Sequence, residues 1–226
     1  MLEPEIAFMN DINSLADFIE VYLKYVTQDL VMSFKDDIDL CLKHAENPKL
    51  IEKRILDLQS KPFQKIQYKE AVELLLSSNE IFKFPIKWGL ALQTEHEKYI
   101  AEKIFDGPVF ITDYPESVKA FYMKSNASQH DPNGPTVACL DLIFPEIGEV
   151  AGGSIREDRL ELLEAKLSKF NLNPSSLDWY LDLRRFGSIP HGGFGLGFDR
   201  YLQYMTGTSN IRDLTLIPRY EGSNKY

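Results

Sequence analysis

Cysteine is scarce in this 226-residue chain: Cys41 and Cys139 are the only two, too few for a disulfide framework. Isolated thiols also argue against a cysteine-ligated zinc site, and both read as buried apolar side chains. Positive charge is in deficit, with 25 Lys+Arg against 34 Asp+Glu and a net charge of −9. A protein that binds RNA mainly by charge is expected to carry a basic patch. No basic run stands out, so any contact with nucleic acid is local or lies outside this stretch of sequence. No apolar run reaches transmembrane length. The start, Met1-Leu-Glu-Pro-Glu5, is acidic and lacks the positively charged n-region of a secretory signal. No Gly-Lys-Ser/Thr closes a glycine-rich stretch, which excludes a P-loop. What is present is 44% hydrophobic residues, enough for a core in one domain or one domain with an appendage.

The patterning is mixed. Residues 3 to 9 read as a strand. Asp11 reads as an N-cap with Ser14 at N3, opening an amphipathic helix through about residue 30, with Leu15, Phe18, Ile19, Tyr22, Tyr25 and Val26 on its apolar positions. Residues 34 to 80 are rich in Lys, Glu, Leu and Ile at helical spacing and predict a helical appendage, clearest over Tyr68 to Leu76. Thr94-Glu-His-Glu97 has the form of a capping box, which makes His96 a helix-start histidine before it is a general base. Val109 to Thr112 reads as a strand broken by Tyr114-Pro115. Residues 125 to 135, including His130, read as a solvated polar turn. Val137 to Phe144 reads as a buried strand, and Glu157 to Phe170 as a helix with Leu160, Leu163 and Leu167 on one stripe. Strand-rich stretches flanked by helices and short polar turns predict an α/β (α+β) domain on a mostly antiparallel sheet.

The densest signal is His191-Gly-Gly-Phe-Gly-Leu-Gly-Phe-Asp-Arg200. Gly193, Gly195 and Gly197 alternate. A helical pattern then begins, with Phe198, Leu202 and Met205 on one stripe and Gly207 as its stop. Arg200 falls in the first helical turn, where the dipole disfavours a cation. Bare backbone and a cation at a helix start suit a polyanion such as a nucleotide phosphate; the alternative is a glycine-rich turn with a solvated arginine. The segment lies too close to the end of the chain for a doubly wound dinucleotide fold to follow it.

A second constellation is Asp141 with Pro145-Glu-Ile-Gly-Glu-Val-Ala-Gly-Gly-Ser-Ile-Arg156. Asp141, Glu146 and Glu149 gather around one strand-turn-strand region. Hard carboxylates suit Mg²⁺, which takes one or two of them plus substrate phosphates; the alternative is a hairpin with exposed acids. Gly152 and Gly153 allow a ligand close to the backbone. Arg156 offers a planar fork suited to a carboxamide or carboxylate, or else forms a surface ion pair with Glu157 or Asp158. Glu3 and Glu5, two apart on a strand, share a face.

The glycine segment resembles the third signature motif of class II aminoacyl-tRNA synthetases, Gly-x-Gly-x-Gly-x-x-Arg. Trp179 to His191, Asn210-Ile-Arg-Asp213, Pro218-Arg219, Phe121-Tyr-Met-Lys124, Thr136 to Asp141 and Gly148 to Glu157 extend the likeness. Together they resemble the asparaginyl-tRNA synthetase family of the aspartyl/asparaginyl/lysyl subgroup, bacterial and mitochondrial type, over essentially the whole chain. Met1-Leu-Glu-Pro-Glu-Ile-Ala-Phe8 resembles the second strand of motif 2. The chain thus corresponds to the C-terminal part of the catalytic domain, without motif 1, the anticodon-binding barrel or the arginine half of motif 2. The resemblance implies ATP-dependent activation of asparagine, transfer to tRNA(Asn), Mg²⁺, and a homodimer in the complete enzyme. It implies a mitochondrial or cytoplasmic location. It also implies Glu149 as the principal metal ligand with Asp141 beside it. Arg156 would read the substrate's carbonyl oxygen and Glu3 its NH₂, while Glu5 would help to position ATP or metal. The strand around Gly193, Gly195 and Gly197 would seat adenosine, with Arg200 on the γ-phosphate. Gly152 stands where aspartyl relatives often carry serine. Two further readings share these residues: a synthetase-like asparagine synthetase that activates aspartate, and a non-catalytic nucleotide-binding paralogue. Without motif 1 a dimer surface is exposed, which predicts poor solubility for the isolated chain.

Overall fold

The computed structural model describes residues 1–126 and 132–222; His130 and part of the expected polar turn lie outside them. Six strands form one sheet: β1 (Glu5–Ala7), β2 (Gln64–Gln67), β3 (Val109–Thr112), β4 (Cys139–Phe144), β5 (Gly148–Ile155) and β6 (His191–Leu196). Their order is β1-β6-β5-β4-β3-β2. Every pairing is antiparallel except β2 with β3, which is parallel. The expected α+β architecture on a mostly antiparallel sheet is what forms. Among the described residues no helix is long and apolar enough to cross a membrane.

Side chains alternate across a strand, and β4 shows what that achieves here. Leu140, Leu142 and Phe144 enter the larger core, with Phe110, Val150, Ile155, Phe194 and Leu196. Cys139 and Ile143 face the other side, with Ile66, Val109, Ile111 and Val137. Asp141 shares that second face. The first face is covered by α1 (Ile12–Ser33), α3 (Pro48–Ser60) and α8 (Phe198–Thr206). The second is covered by α4 (Tyr68–Ser77) over the β2–β3 end and by the helical segment 94–104 against β4 and the start of β5, which leaves the stretch from Gly152 through β6 to β1 open.

Several expectations shift on contact with packing. Asp11 does cap α1, accepting from the Ser14 N–H at 2.8 Å, but Phe18 and Tyr25 are exposed and the buried stripe is Ile12, Leu15, Ala16, Ile19, Leu23 and Thr27. The 34–80 segment is not a helical appendage. After α2 (Lys35–His44), Ile51, Ile55 and Leu58 of α3 enter the core, and Gln64–Gln67 becomes the edge strand β2 because Ile66 buries against β3. The N-terminal strand shortens to β1, since Phe8 turns the chain at φ 61°. Helix α6 (Leu160–Lys169) starts later than expected: Glu157 is fully buried and its N–H bonds the Tyr122 carbonyl at 2.8 Å.

In α8 the buried face is Tyr201, Tyr204 and Met205, while Phe198 is exposed. Periodicity alone ranks phenylalanine above tyrosine, but here the tyrosine hydroxyls find internal surroundings. Thr27 Oγ1 donates to the Leu23 carbonyl at 2.7 Å. Its one proton is then committed, so the Tyr201 hydroxyl, 2.9 Å away, is the donor of that pair. Burial pushes the Tyr201 pKa up to about 12. Tyr201→Phe is expected to cost about 1 kcal/mol by leaving Thr27 short of a partner, readable in a denaturant titration. Gly207 stops α8 in the left-handed region at φ 71°, as its place in the sequence indicates.

Candidate active site

The open end of the second face holds a cavity of about 480 Å³, within the range of small-molecule sites. Glu3, Glu5, Asp141, Glu149, Arg156 and Gly195 line it. Sequence distance had separated these residues by almost the length of the chain. The sheet brings them together because β1 pairs with β6, β6 with β5, and β5 with β4.

The glycines of β6 have separate jobs. Glu5 lies opposite Gly193 in the ladder. A Cβ on Gly193 would fall 2.5 and 2.7 Å from the two Glu5 carboxylate oxygens, so the carboxylate can lie across the strand only because that side chain is missing. Glu5 in turn holds Arg156: Nη2 donates to Oε1 at 2.6 Å and Nε at 3.1 Å, while Nη1 donates to Ser154 Oγ at 2.7 Å. The guanidinium also stacks 5.0 Å from the Tyr122 ring centroid. The surface pairing of Arg156 with Glu157 or Asp158 does not form; those acids pair with Arg159 and Lys124 at 2.9 and 3.0 Å. Glu5, rather than Glu3, is thus the acid coupled to Arg156. Glu3 lines the same cavity.

Asp141 and Gly152 face one another across β4 and β5. A Cβ on Gly152 would stand 2.7 Å from Glu149 Oε1 and 3.5 Å from Asp141 Oδ1. The two carboxylates therefore border one small space above a bare backbone, and that cradle fits a hard cation shared with phosphate oxygens. Among the described residues no three acidic, histidine or cysteine side chains are set to ligate a metal. Burial, and then the charge of Asp141, raises the Glu149 pKa.

Glu146 does not join this group. It sits in the β4–β5 turn at φ 63° and pairs outward with Arg54 at 2.6 Å. Its place is taken by Glu97, which periodicity assigned to a cap. The cap of α5 (Thr94–Tyr99) is Gln93, whose N–H donates to His96 Nδ1 at 3.1 Å. His96 is buried, with Nε2 3.2 Å from the Phe84 carbonyl, and both ring nitrogens are occupied structurally. That frees Glu97 to turn inward, where Oε2 accepts the Glu149 N–H at 3.3 Å. Burial first, then the charges of Glu149 and Asp141, push its pKa up to about 7. The folded chain therefore holds a proton there that the unfolded chain, near 4.5, has lost. This contribution to stability is complete below about pH 4.5 and is lost as pH rises through about 7, with Glu149 shifted in the same direction. Glu97→Gln is expected to flatten that decline in a series of melts across pH.

Arg200 occupies the first turn of α8, and its Nη1 donates to the Glu149 carbonyl. It is tied to the backbone of Glu149, a lining residue, but does not itself line the cavity. Lys119, Tyr122 and Met123 also line the pocket. Tyr122 and Met123 belong to the segment Phe121-Tyr-Met-Lys124 visible in the sequence, and Lys119 lies just before it; nothing local indicates which side chains point inward.

A six-stranded, mostly antiparallel sheet flanked by helices, with β6 leading into α8, is the fold found in class II aminoacyl-tRNA synthetases. The sequence profile described as tRNA synthetases class II (D, K and N) matches residues 1–221. The chain is 47% identical over its full length to the chloroplastic/mitochondrial asparagine–tRNA ligase of Arabidopsis thaliana, covering 39% of that protein. It is 45% identical to the asparagine–tRNA ligase of Clostridium tetani, covering 47% of it. Asparaginyl-tRNA synthetase from Pyrococcus horikoshii, solved also as a complex with asparaginyl-adenylate, superimposes with a TM-score of 0.83 at 32% identity, over 98% of this chain and 49% of that one in the uncomplexed form. The chain belongs to the class II tRNA synthetases of the aspartyl, lysyl and asparaginyl group. It spans under half the length of these curated relatives.

Proposed function

We propose that this chain is the motif 3 portion of the catalytic domain of an asparagine–tRNA ligase, in which asparagine is activated by ATP to asparaginyl-adenylate and then passed to tRNA(Asn). The observation that carries the reading is the union, in one cavity, of the Glu5–Arg156 clamp with the Asp141–Glu149 pair. Arg156, fixed on both sides by Glu5 and Ser154 and stacked on Tyr122, keeps outward N–H groups for a side-chain carbonyl. Glu3 lies within the same lining as an acceptor for an NH₂, and the carboxylates there disfavour aspartate. A site whose polar groups go unpaired with the wrong ligand discriminates strongly.

The ATP half follows from the other end. Glu149, with Asp141 adjacent, would hold Mg²⁺, which when bound neutralises charge on the phosphates. The open backbone of β6 seats adenosine, and Arg200 releases the Glu149 carbonyl to reach the terminal phosphate. The reaction then needs in-line positioning of the asparagine carboxylate on the α-phosphate more than it needs proton transfer. In the complete enzyme the partners are tRNA(Asn) and a second copy of the protein.

The test is asparagine-dependent ATP–pyrophosphate exchange, with Arg200→Ala alongside. Exchange that disappears in the variant supports the ligase reading. ATP binding with no exchange would replace it with a nucleotide-binding role. Exchange with aspartate in place of asparagine would favour an asparagine synthetase.

A further inference from the structure

The acidic end of the cavity carries its own counter-ion. Lys119 Nζ lies 2.7 and 2.6 Å from the two oxygens of Asp141 and 4.0 Å from the centroid of the Tyr114 ring. The Tyr114 ring is buried, so the ammonium rests on a fixed apolar surface. The chain that presents it is fastened at both ends. Before Lys119, Glu116 pairs with Lys166 at 3.3 Å and with Lys169. After it, the Met123 carbonyl accepts from Lys166, and the Lys124 N–H bonds the Ile155 carbonyl at 2.9 Å. Lys119 is thus held in place rather than free to swing away.

Two of the lining acids are paired with lining cations. Arg156 answers Glu5 and Lys119 answers Asp141, leaving Glu3 and Glu149 as the lining acids without an ion pair among the described residues. A divalent ion placed over Gly152 must share Asp141 with an ammonium already in contact with both its oxygens. Like charges at such separations repel substantially in a half-buried site. A triphosphate reverses the balance, because its charge attracts both cations at once.

We propose that Lys119 is a positioning residue that makes divalent-cation binding in this cavity conditional on the nucleotide. It holds Asp141 turned over Gly152 and opposes a bare cation, while admitting one that arrives on a polyphosphate. This rests on the reading of the cavity as the ATP–Mg²⁺ site.

The experiment is Mn²⁺ binding to the full chain followed by electron paramagnetic resonance, with and without ATP. It compares wild type with Lys119→Met, Lys119→Gln, Lys119→Arg, and Lys119→Met combined with Glu149→Gln. Thermal melts identify the folded variants, and either neutral variant suffices. Removal of the ammonium is expected to tighten Mn²⁺ binding without ATP by at least about tenfold. Arginine should restore wild-type behaviour, and the added Glu149→Gln should erase the gain. Unchanged or weaker Mn²⁺ binding in the neutral variants, with wild type still binding Mn²⁺ in the presence of ATP, overturns the role of Lys119 and leaves the site reading intact. Absence of Mn²⁺ binding to wild type even with ATP overturns the site reading itself.

Discussion

Glu149→Gln should weaken Mg²⁺-dependent ATP binding by about a hundredfold, at the upper end of what loss of a group supporting a metal costs. The size follows from the shortage of acids around Gly152. Asp141 is engaged by Lys119 through both oxygens, Glu146 turns away to Arg54, and Glu97 is occupied with the Glu149 N–H. Glu149 Oε1 is the oxygen that would stand nearest a Cβ on Gly152, at 2.7 Å. The amide keeps the shape and removes the charge, so the fold should hold while the metal-dependent part of binding fails. Titration calorimetry with ATP, in Mg²⁺ and then in EDTA, reads the difference. Equal loss in both conditions would mean that Glu149 supports the nucleotide without a metal.

Gly153→Ala should produce the largest loss of stability among the glycines of the site, about 2–3 kcal/mol and roughly 5–10 °C in Tm for a chain of this size. Gly153 lies between β4 and β6, opposite Leu140 on one side and Phe194 on the other. An added methyl would meet the Gly193 carbonyl at 2.8 Å and the Phe194 Cβ at 2.8 Å. Neither can withdraw, since one is ladder backbone and the other anchors a buried ring. Gly187 is the contrast: it stands at φ 112° but with nothing within 4 Å of its added Cβ, so Gly187→Ala would bring backbone strain alone. A melt of Gly153→Ala within about 2 °C of wild type would show that β5 and β6 can separate without penalty.

Much of this was legible because the chemistry is local in sequence. The β6 glycines and Arg200 lie within one short segment, and Asp141 to Arg156 span two neighbouring strands. Glu97 was not legible: its neighbours form a helix start, and the capping pattern explains them without reference to the site. The structure shows that the cap belongs to Gln93 and His96, which turns Glu97 inward. Glu146 failed for the opposite reason, since closeness along the chain could not reveal that a residue at positive φ points its side chain out of the cluster. Strand β2 was hidden because Gln64-Lys-Ile-Gln67 buries one apolar side chain, too little pattern to outweigh the helices on either side. In each case the deciding information was a contact made from far along the chain.

The measurement that tests the account most directly is amino-acid binding to the ATP–Mg²⁺-loaded chain, with asparagine and aspartate titrated in parallel against wild type and Arg156→Lys. The clamp of Arg156 by Glu5 and Ser154, beside Glu3, predicts that asparagine binds and that aspartate binds at least about tenfold more weakly. It also predicts that lysine, which cannot reproduce the fork, loses most of the asparagine affinity. Aspartate binding as tightly as asparagine, or Arg156→Lys leaving the preference unchanged, would contradict it.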